Sequence, residues 1–260
     1  MTSLVRIALT VCALVAFAAA QGCAEERWGG VPILMFHRVD RIVPAGAVGR
    51  SLTLDPAKFE ASLAWFRAHN VRTMTVAGVV GALERGEHPR DAVVLSFDDG
   101  YEDAATVVSP LLKKYGARAS FYVSADLIGT PRHASWRELR AMRDAGMEIG
   151  CHGSRHLDLT TLSRAQKAYE IGHCAAALTR YLGAPRTYAY AAGKYDAEAI
   201  ALLGKFGFKA ALTERRGDLT SLARPFELPR YRIDREASIE AFVAPSRPGV
   251  TFAGRHMGPR

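Results

Sequence analysis

Clustered basic charge, abundant cysteine and membrane-length apolar runs are all missing from this chain of 260 residues. Four cysteines exclude a disulfide-dense scaffold. Glycine at 23 and proline at 12 are too few for a fibrous or low-complexity protein. The formal net charge is +8, but no run of five basic residues occurs and no aromatics interleave with the basic ones. A nucleic-acid partner is therefore not expected, and the excess charge reads as a basic surface. What the chain does have is apolar residues, 49% of the total, against 23% charged. That is enough to bury a sizeable core in one domain and too much for a disordered chain.

The N-terminus reads as an address. Residues 7–20 form an uncharged, mostly apolar run of 14, shorter than the ~20 residues a spanning helix needs, so it is the core of a signal peptide. Two cleavage readings compete. Ala18, Ala19 and Ala20 make an ordinary A-x-A site, whereas Ala19-Ala20-Gln21-Gly22-Cys23 resembles a bacterial lipobox with Ala in place of the usual Leu. The second is preferred, because a lone cysteine directly after such a run otherwise lacks a reason. Residues 1–22 are then the signal peptide and Cys23 the lipidated first residue of an exported protein. Of the cysteines that remain, Cys151 and Cys174 could pair, but two buried, unpaired side chains are the expectation.

Beyond residue 31, short apolar runs at 32–36, 92–97, 119–123, 147–151, 187–190 and 208–212, with a weaker one at 71–76, alternate with helical spacing. Asp55-Pro56 opens one helix and Ser163 another, which ends at Gly183. Repeated β-then-α units predict a parallel α/β architecture, barrel or open sheet, in a single domain over 31–242. Residues 40–50 and 214–225 read as long loops, and 243–260 as a loose basic tail.

Candidate chemistry sits at strand ends. Residues 92–97 deliver Asp98-Asp99-Gly100 into a turn. Adjacent carboxylates there repel and desolvate one another, a conflict that a cation or a shared proton resolves. Residues 147–151 end in His152-Gly153-Ser154-Arg155-His156, two histidines that a turn can aim at one point. Together they supply two neutral nitrogens and a carboxylate oxygen, a set suited to Zn²⁺ with an open position. In alternating β/α architecture both strand ends fall on one face. His69, His88, His133 and His173 read as solvated or capping, Trp65 and Trp136 as packing residues, and Asp103 as a first-turn charge favoured by the helix dipole. His256 falls in the tail.

These motifs carry a resemblance. Ser96-Phe97-Asp98-Asp99-Gly100 followed by His152-Gly-Ser-Arg-His156-Leu-Asp-Leu159 resembles the polysaccharide deacetylase family, the family 4 carbohydrate esterases. Pro32-Ile-Leu-Met-Phe-His37-Arg-Val39 and Tyr188-Ala-Tyr-Ala-Ala-Gly193 extend the match toward the bacterial poly-N-acetylglucosamine deacetylases of biofilms. The resemblance implies a distorted (β/α) barrel with about seven parallel strands. It implies Asp99, His152 and His156 as metal ligands, with Zn²⁺ preferred and Co²⁺, Ni²⁺ or Fe²⁺ able to substitute. Asp98 is then the general base, His37 the general acid, and a backbone N–H near Ala192 an oxyanion donor.

Two departures stand out. Ala191 replaces the usual proline of the third motif, and Ala189 stands where many members carry an arginine that braces the base. Arg186 or Arg230 could supply that charge, and Arg230 is preferred. The expected activity is N-deacetylation of an acetylated amino-sugar polysaccharide in the periplasm or cell envelope, on the membrane through Cys23. The alternatives are a non-catalytic polysaccharide-binding or export-accessory lipoprotein on the same fold, and, ranked last, another metal-dependent amide hydrolase.

Overall fold

A computed structural model describes residues 29–243. The signal peptide, Cys23, His256 and all of the tail but Val243 lie outside the described residues. Eleven strands form here: β1 Val31–Phe36, β2 Arg38–Val39, β3 Thr53–Leu54, β4 Arg72–Met74, β5 Ala92–Phe97, β6 Ser120–Val123, β7 Glu148–Cys151, β8 Thr187–Ala189, β9 Ala210–Leu212, β10 Asp218–Leu219 and β11 Tyr231–Arg232. Seven helices accompany them: α1 Ala47–Leu52, α2 Pro56–Ala68, α3 Val76–Glu84, α4 Ser109–Tyr115, α5 Trp136–Asp144, α6 Arg164–Leu182 and α7 Ala197–Lys205.

The main sheet runs β1-β5-β6-β7-β8-β9, every pair parallel. It curls until its ends meet through one segment. Leu228 bridges Leu212 in parallel, donating its N–H to the Ala211 carbonyl at 2.8 Å, and a few residues on β11 pairs with β1. The result is a distorted barrel with seven positions around its wall. β4 lies beside the first half of β5 and β6 beside the second half.

Strand alternation divides the apolar residues between two cores. Leu34, Phe36, Val93, Leu95, Phe97 and Phe121 face the helices. There Phe97 stacks on both Phe36 and Phe121 at 5.0 Å, and Phe59 of α2 meets Phe36 and Phe97 edge-on at 5.7 Å. The alternate residues Val31, Ile33, Val94 and Tyr122 point into the barrel, where Val76, Val79 and Val80 of α3 plug the end opposite the strand C-termini. That plug is tied down at its N-terminus. Glu148 accepts the Ala77 N–H and Ser120 accepts the Val76 N–H, both at 2.9 Å, satisfying donors that a helix start leaves orphaned.

Local signals explain the helix boundaries. Asp55 caps α2 by accepting the Ala57 N–H at 2.8 Å, with Pro56 in the first turn. Ser163 and Gln166 close a capping box at the start of α6, which ends at Gly183.

Several expectations are corrected. Residues 71–76 yield only the three-residue β4, because Thr75 turns the chain by capping α3 through the Gly78 N–H. The expected loop at 40–50 contains the start of α1, and that at 214–225 contains β10, antiparallel to β1 at Val31–Leu219. β10 covers the Val31–Pro32 end of the β1 edge, beside the Leu34–Met35 stretch that β11 covers, with Leu219 buried. Cys151 and Cys174 are not free thiols. They form a disulfide between β7 and α6, their Cα atoms 6.0 Å apart, inside the normal bridging range.

Candidate active site

Four loops converge at the C-terminal rim of the barrel. β5 is followed directly by Asp98, whose N–H is held by the Phe36 carbonyl of β1 at 3.0 Å. The carboxylate is buried and faces Arg230, with Nη1 to Oδ1 and Nη2 to Oδ2 both 2.8 Å. Arg230 is itself 1% exposed, and its Nε donates to the Thr213 carbonyl at 2.9 Å. Burial pushes the Asp98 carboxyl up, but Arg230 first and then His152 outweigh it, and the group sits below the ordinary aspartate value. Asp98 is therefore a buried anion with a fixed orientation.

The next residue turns the chain. Asp99 has φ +73 and Gly100 φ +70, and a Cβ at Gly100 would come within 2.9 Å of Val123 Cγ1. Asp99 Oδ1 thereby faces His152 Nε2 at 3.4 Å and His156 Nε2 at 3.2 Å. The three ligand atoms lie within 4.8 Å of one another. His156 has φ +59 and Ala192 φ +50, so three of the six left-handed non-glycine residues among the described residues belong to this rim. Such backbone persists only where surrounding contacts hold it.

The donor set fits a divalent metal. His152 Nδ1 lies 2.7 Å from the Ala189 carbonyl. A carbonyl only accepts, so Nδ1 carries the proton, and in the neutral ring Nε2 presents a lone pair toward Asp99. Asp99 Oδ1 is buried with no hydrogen-bond donor. A cation between these lone pairs removes the conflict, and without one the ring must hold a second proton. Burial lowers the His152 pKa, while the Asp98 and Asp99 carboxylates raise it further, leaving it above the ordinary histidine value. Asp99 is pushed up by burial, yet the two imidazoles hold it well below the usual carboxylate range.

His37 follows β1 on the same rim. Burial draws its pKa below the ordinary value despite the pull of Asp98 and Asp99, and its Nδ1 has no hydrogen-bond partner. Ala192 lies in the tight turn Ala191–Gly193 directly after β8, the strand whose Ala189 carbonyl holds His152. Thus Asp98, Asp99, His152, His156 and Arg230 are brought into contact, with His37 and Ala192 on neighbouring strand ends. Arg186 is not part of this site; it pairs with Glu84 of α3 at 3.7 Å, at the plugged end.

Two residues at this rim escaped the sequence reading. Asp103 is no exposed dipole charge: it is 5% exposed and accepts the Val39 N–H at 2.6 Å, two residues beyond His37. Its carboxyl is pushed up to about 6, chiefly by burial. The signal was its setting in the apolar stretch Ala104-Ala105-Thr106-Val107-Val108, which places it on a buried face. Tyr101, its phenol pushed up to about 12 by burial and then by Asp99, stacks on His133 at 5.5 Å and lies under the Arg38 guanidinium at 4.8 Å. His133 and His173 are thus engaged side chains. His173 meets Asp126 at 3.1 Å and stacks on Tyr169. Trp65 and Trp136 pack as expected, against Phe66 and Tyr181.

Comparison with known proteins agrees with this geometry. The polysaccharide deacetylase family profile matches residues 85–211, which contain Asp98, Asp99, His152 and His156. A putative polysaccharide deacetylase, YxkH of Bacillus subtilis, is 27% identical over 221 residues, 84% of this chain and 77% of that protein. A poly-β-1,6-N-acetyl-D-glucosamine N-deacetylase of Staphylococcus aureus is 22% identical over 203 residues, 72% of this chain and 70% of its own. Among solved structures, the Streptococcus pyogenes deacetylase PplD, in complex with acetate, superposes with a TM-score of 0.78 at 26% identity, covering 84% of this chain and 99% of that one. IcaB from Ammonifex degensii shares the fold with a TM-score of 0.69 at 22% identity, over 82% of this chain and 94% of its own. The matching profile spans both carboxylates and both histidines, on a barrel that brings those side chains together, so residues 85–211 of this chain carry the polysaccharide deacetylase family pattern.

Proposed function

We propose that the protein is an exported, metal-dependent N-deacetylase that hydrolyses the acetamide of N-acetylated amino sugars in a polysaccharide, releasing acetate and a free amine. The observation that carries this reading is the meeting of Asp99, His152 and His156 beside an Arg230-braced Asp98, with His152 Nδ1 committed to a carbonyl. The names of two relatives support the reaction class, one an N-acetylglucosamine polymer deacetylase and one solved with acetate.

Asp99 Oδ1, His152 Nε2 and His156 Nε2 would hold the metal, Zn²⁺ by preference. A divalent cation there supplies Lewis acidity, polarising an amide carbonyl and lowering the pKa of water. Asp98 is the base that takes the proton of the attacking water. Its two bonds to Arg230 fix the carboxylate plane and leave lone pairs for that proton. The oxygen that gains charge would meet the N–H near Ala192. His37, kept neutral at rest by burial, would take from Asp98 the proton that the attacking water gave up and deliver it to the departing amine, leaving both groups as they began. The envelope location and the anchor through Cys23 are part of the same proposal. Among the described residues no helix is long and apolar enough to cross a membrane.

The test is acetate release from short N-acetylglucosamine oligomers with bound metal measured in parallel. Release that stops with chelator and returns with Zn²⁺ or Co²⁺ establishes the reading. One metal per chain with no acetate from any acetylated glycan replaces it with the non-catalytic binding protein. For the anchor, Cys23→Ser should move the protein from the membrane to the soluble fraction, and unchanged membrane association rejects it.

A further inference from the structure

Of the three candidate ligands, two lie within two residues of a strand end. Asp99 follows β5, and His152 follows β7 with its N–H on the Val123 carbonyl and its ring on Ala189. His156 does not. Its side chain is 39% exposed, and it hangs from the irregular segment Gly153-Ser154-Arg155. What holds that segment decides where the His156 ring sits.

Its backbone groups can be accounted for on both sides. The Gly153 and Ser154 carbonyls accept the N–H groups of Ala125 and Asp126 at 3.1 and 2.9 Å, from the turn after β6. The Ser154 and Arg155 N–H groups point the other way, at one carboxylate oxygen. Glu170 Oε2 accepts both, at 3.0 and 2.9 Å, while Glu170 Oε1 accepts Arg155 Nε at 2.6 Å. Glu170 lies on α6 and is 0% exposed. Gly153 has φ +84, and a Cβ there would stand 3.2 Å from Glu170 Oε2, so the loop backbone lies directly against the carboxylate. One turn further along α6, Cys174 is bonded to Cys151, the residue before His152. The helix thus grips the segment between the two histidines at both ends. A buried carboxylate accepting two consecutive backbone N–H groups and a guanidinium is a strong, geometrically specific contact. Nothing in the proposed chemistry consumes it.

We propose that Glu170 is a positioning residue that sets His156 at the metal site by holding the Ser154 and Arg155 amides. This role rests on the metal reading proposed above. Residues that orient metal ligands typically weaken metal affinity by about 10–100-fold when changed. A carboxamide at this position loses the charge and turns one donor face toward the loop.

The experiment measures Zn²⁺ affinity of the full chain, disulfide intact, by competition with a chromogenic chelator, for the wild type, Glu170→Gln and Arg155→Ala. Glu170→Gln should bind Zn²⁺ about 10–100-fold more weakly while keeping its far-ultraviolet circular dichroism. Arg155→Ala, which removes the guanidinium but leaves both amide bonds, should stay within about threefold of wild type. A folded Glu170→Gln that binds within threefold of wild type overturns the role, even if its apoprotein melts lower, since that pattern marks a purely structural contact. Equal losses in both variants assign the effect to the side-chain ion pair and overturn the backbone grip. If Glu170→Gln fails to fold, amide exchange in the wild-type apoprotein decides. Ser154 and Arg155 amides as slow as those of β7 support the grip, and fast exchange rejects it. Wild type that binds no Zn²⁺ removes the metal reading itself, a result distinct from a variant that matches a binding wild type.

Discussion

Arg230 meets both oxygens of Asp98 at 2.8 Å across 132 residues of sequence, with both side chains out of solvent. Removing the guanidinium leaves a buried charge without a partner, which costs about 3–5 kcal/mol. Arg230→Met should therefore destabilise the fold by that order in urea. Asp98 sits below its ordinary value, so the pair contributes stability that is present above the usual carboxylate range and lost as pH falls through the native value. In Arg230→Met the Asp98 pKa rises, and the acid limb of the pH–rate profile should move toward neutral pH. An unmoved limb would mean that Asp98 is not the group that limb reports.

Asp98 and His152 should separate chemistry from metal binding. Asp98→Asn keeps the carboxylate's shape and leaves Asp99, His152 and His156 in place. It should retain bound metal and lose turnover by at least about 10²-fold, the scale of a general-base contribution. His152→Ala removes one of three donors and should lose metal and activity together. Metal analysis beside acetate release reads both, and a fully active Asp98→Asn rejects the base assignment.

These two predictions also mark how much was legible in the amino-acid order. Asp98, Asp99, His152 and His156 are short-range signals, each directly after an apolar run that became β5 or β7, and parallel β/α order places such ends on one rim. The six parallel strands β1, β5, β6, β7, β8 and β9 followed from the same alternation, whereas the barrel was implied by the resemblance, and its closing segment at Leu228 and β11 matches no predicted run. Arg230 could be named only through the family resemblance, because nothing local ties it to a carboxylate 132 positions earlier. Asp103 was misread for the same reason. The dipole explanation uses only its own helix turn, while its partner is the Val39 amide 64 residues before it. The Cys151–Cys174 bond depends on a Cα separation set by how α6 crosses β7, which spacing in the chain does not encode.

That bond makes its own prediction. It closes a loop between residues 23 apart, for which chain entropy gives about 3 kcal/mol. The double variant Cys151→Ala, Cys174→Ala should lose stability on that order in urea. Wild type treated with a dithiol reductant should shift its midpoint likewise, whereas the double variant should not respond. Alkylation with mass measurement counts the thiols. Two free thiols in the untreated protein would show that the bond does not form.

Asp103 supplies a pH signature that separates burial from catalysis. Its carboxyl is pushed up to about 6 by burial, even though it accepts the Val39 N–H and faces Arg38 Nε at 3.6 Å. For an acid raised in the native state, the folded chain holds a proton that the unfolded chain has already released. Stability from this group is then fully present below about pH 4 and is lost as pH rises to about 6, a span of about 3 kcal/mol. Asp103→Asn keeps an acceptor for Val39 but cannot titrate. Relative to wild type it should gain stability by about that amount between pH 4 and pH 7, read from urea midpoints across the range. Asp103→Leu removes the acceptor as well, freeing the backbone two residues beyond His37, and should lower kcat where Asp103→Asn does not. Parallel stability curves for wild type and Asp103→Asn would place the Asp103 titration outside this window and make its carboxylate an ordinary, solvated one.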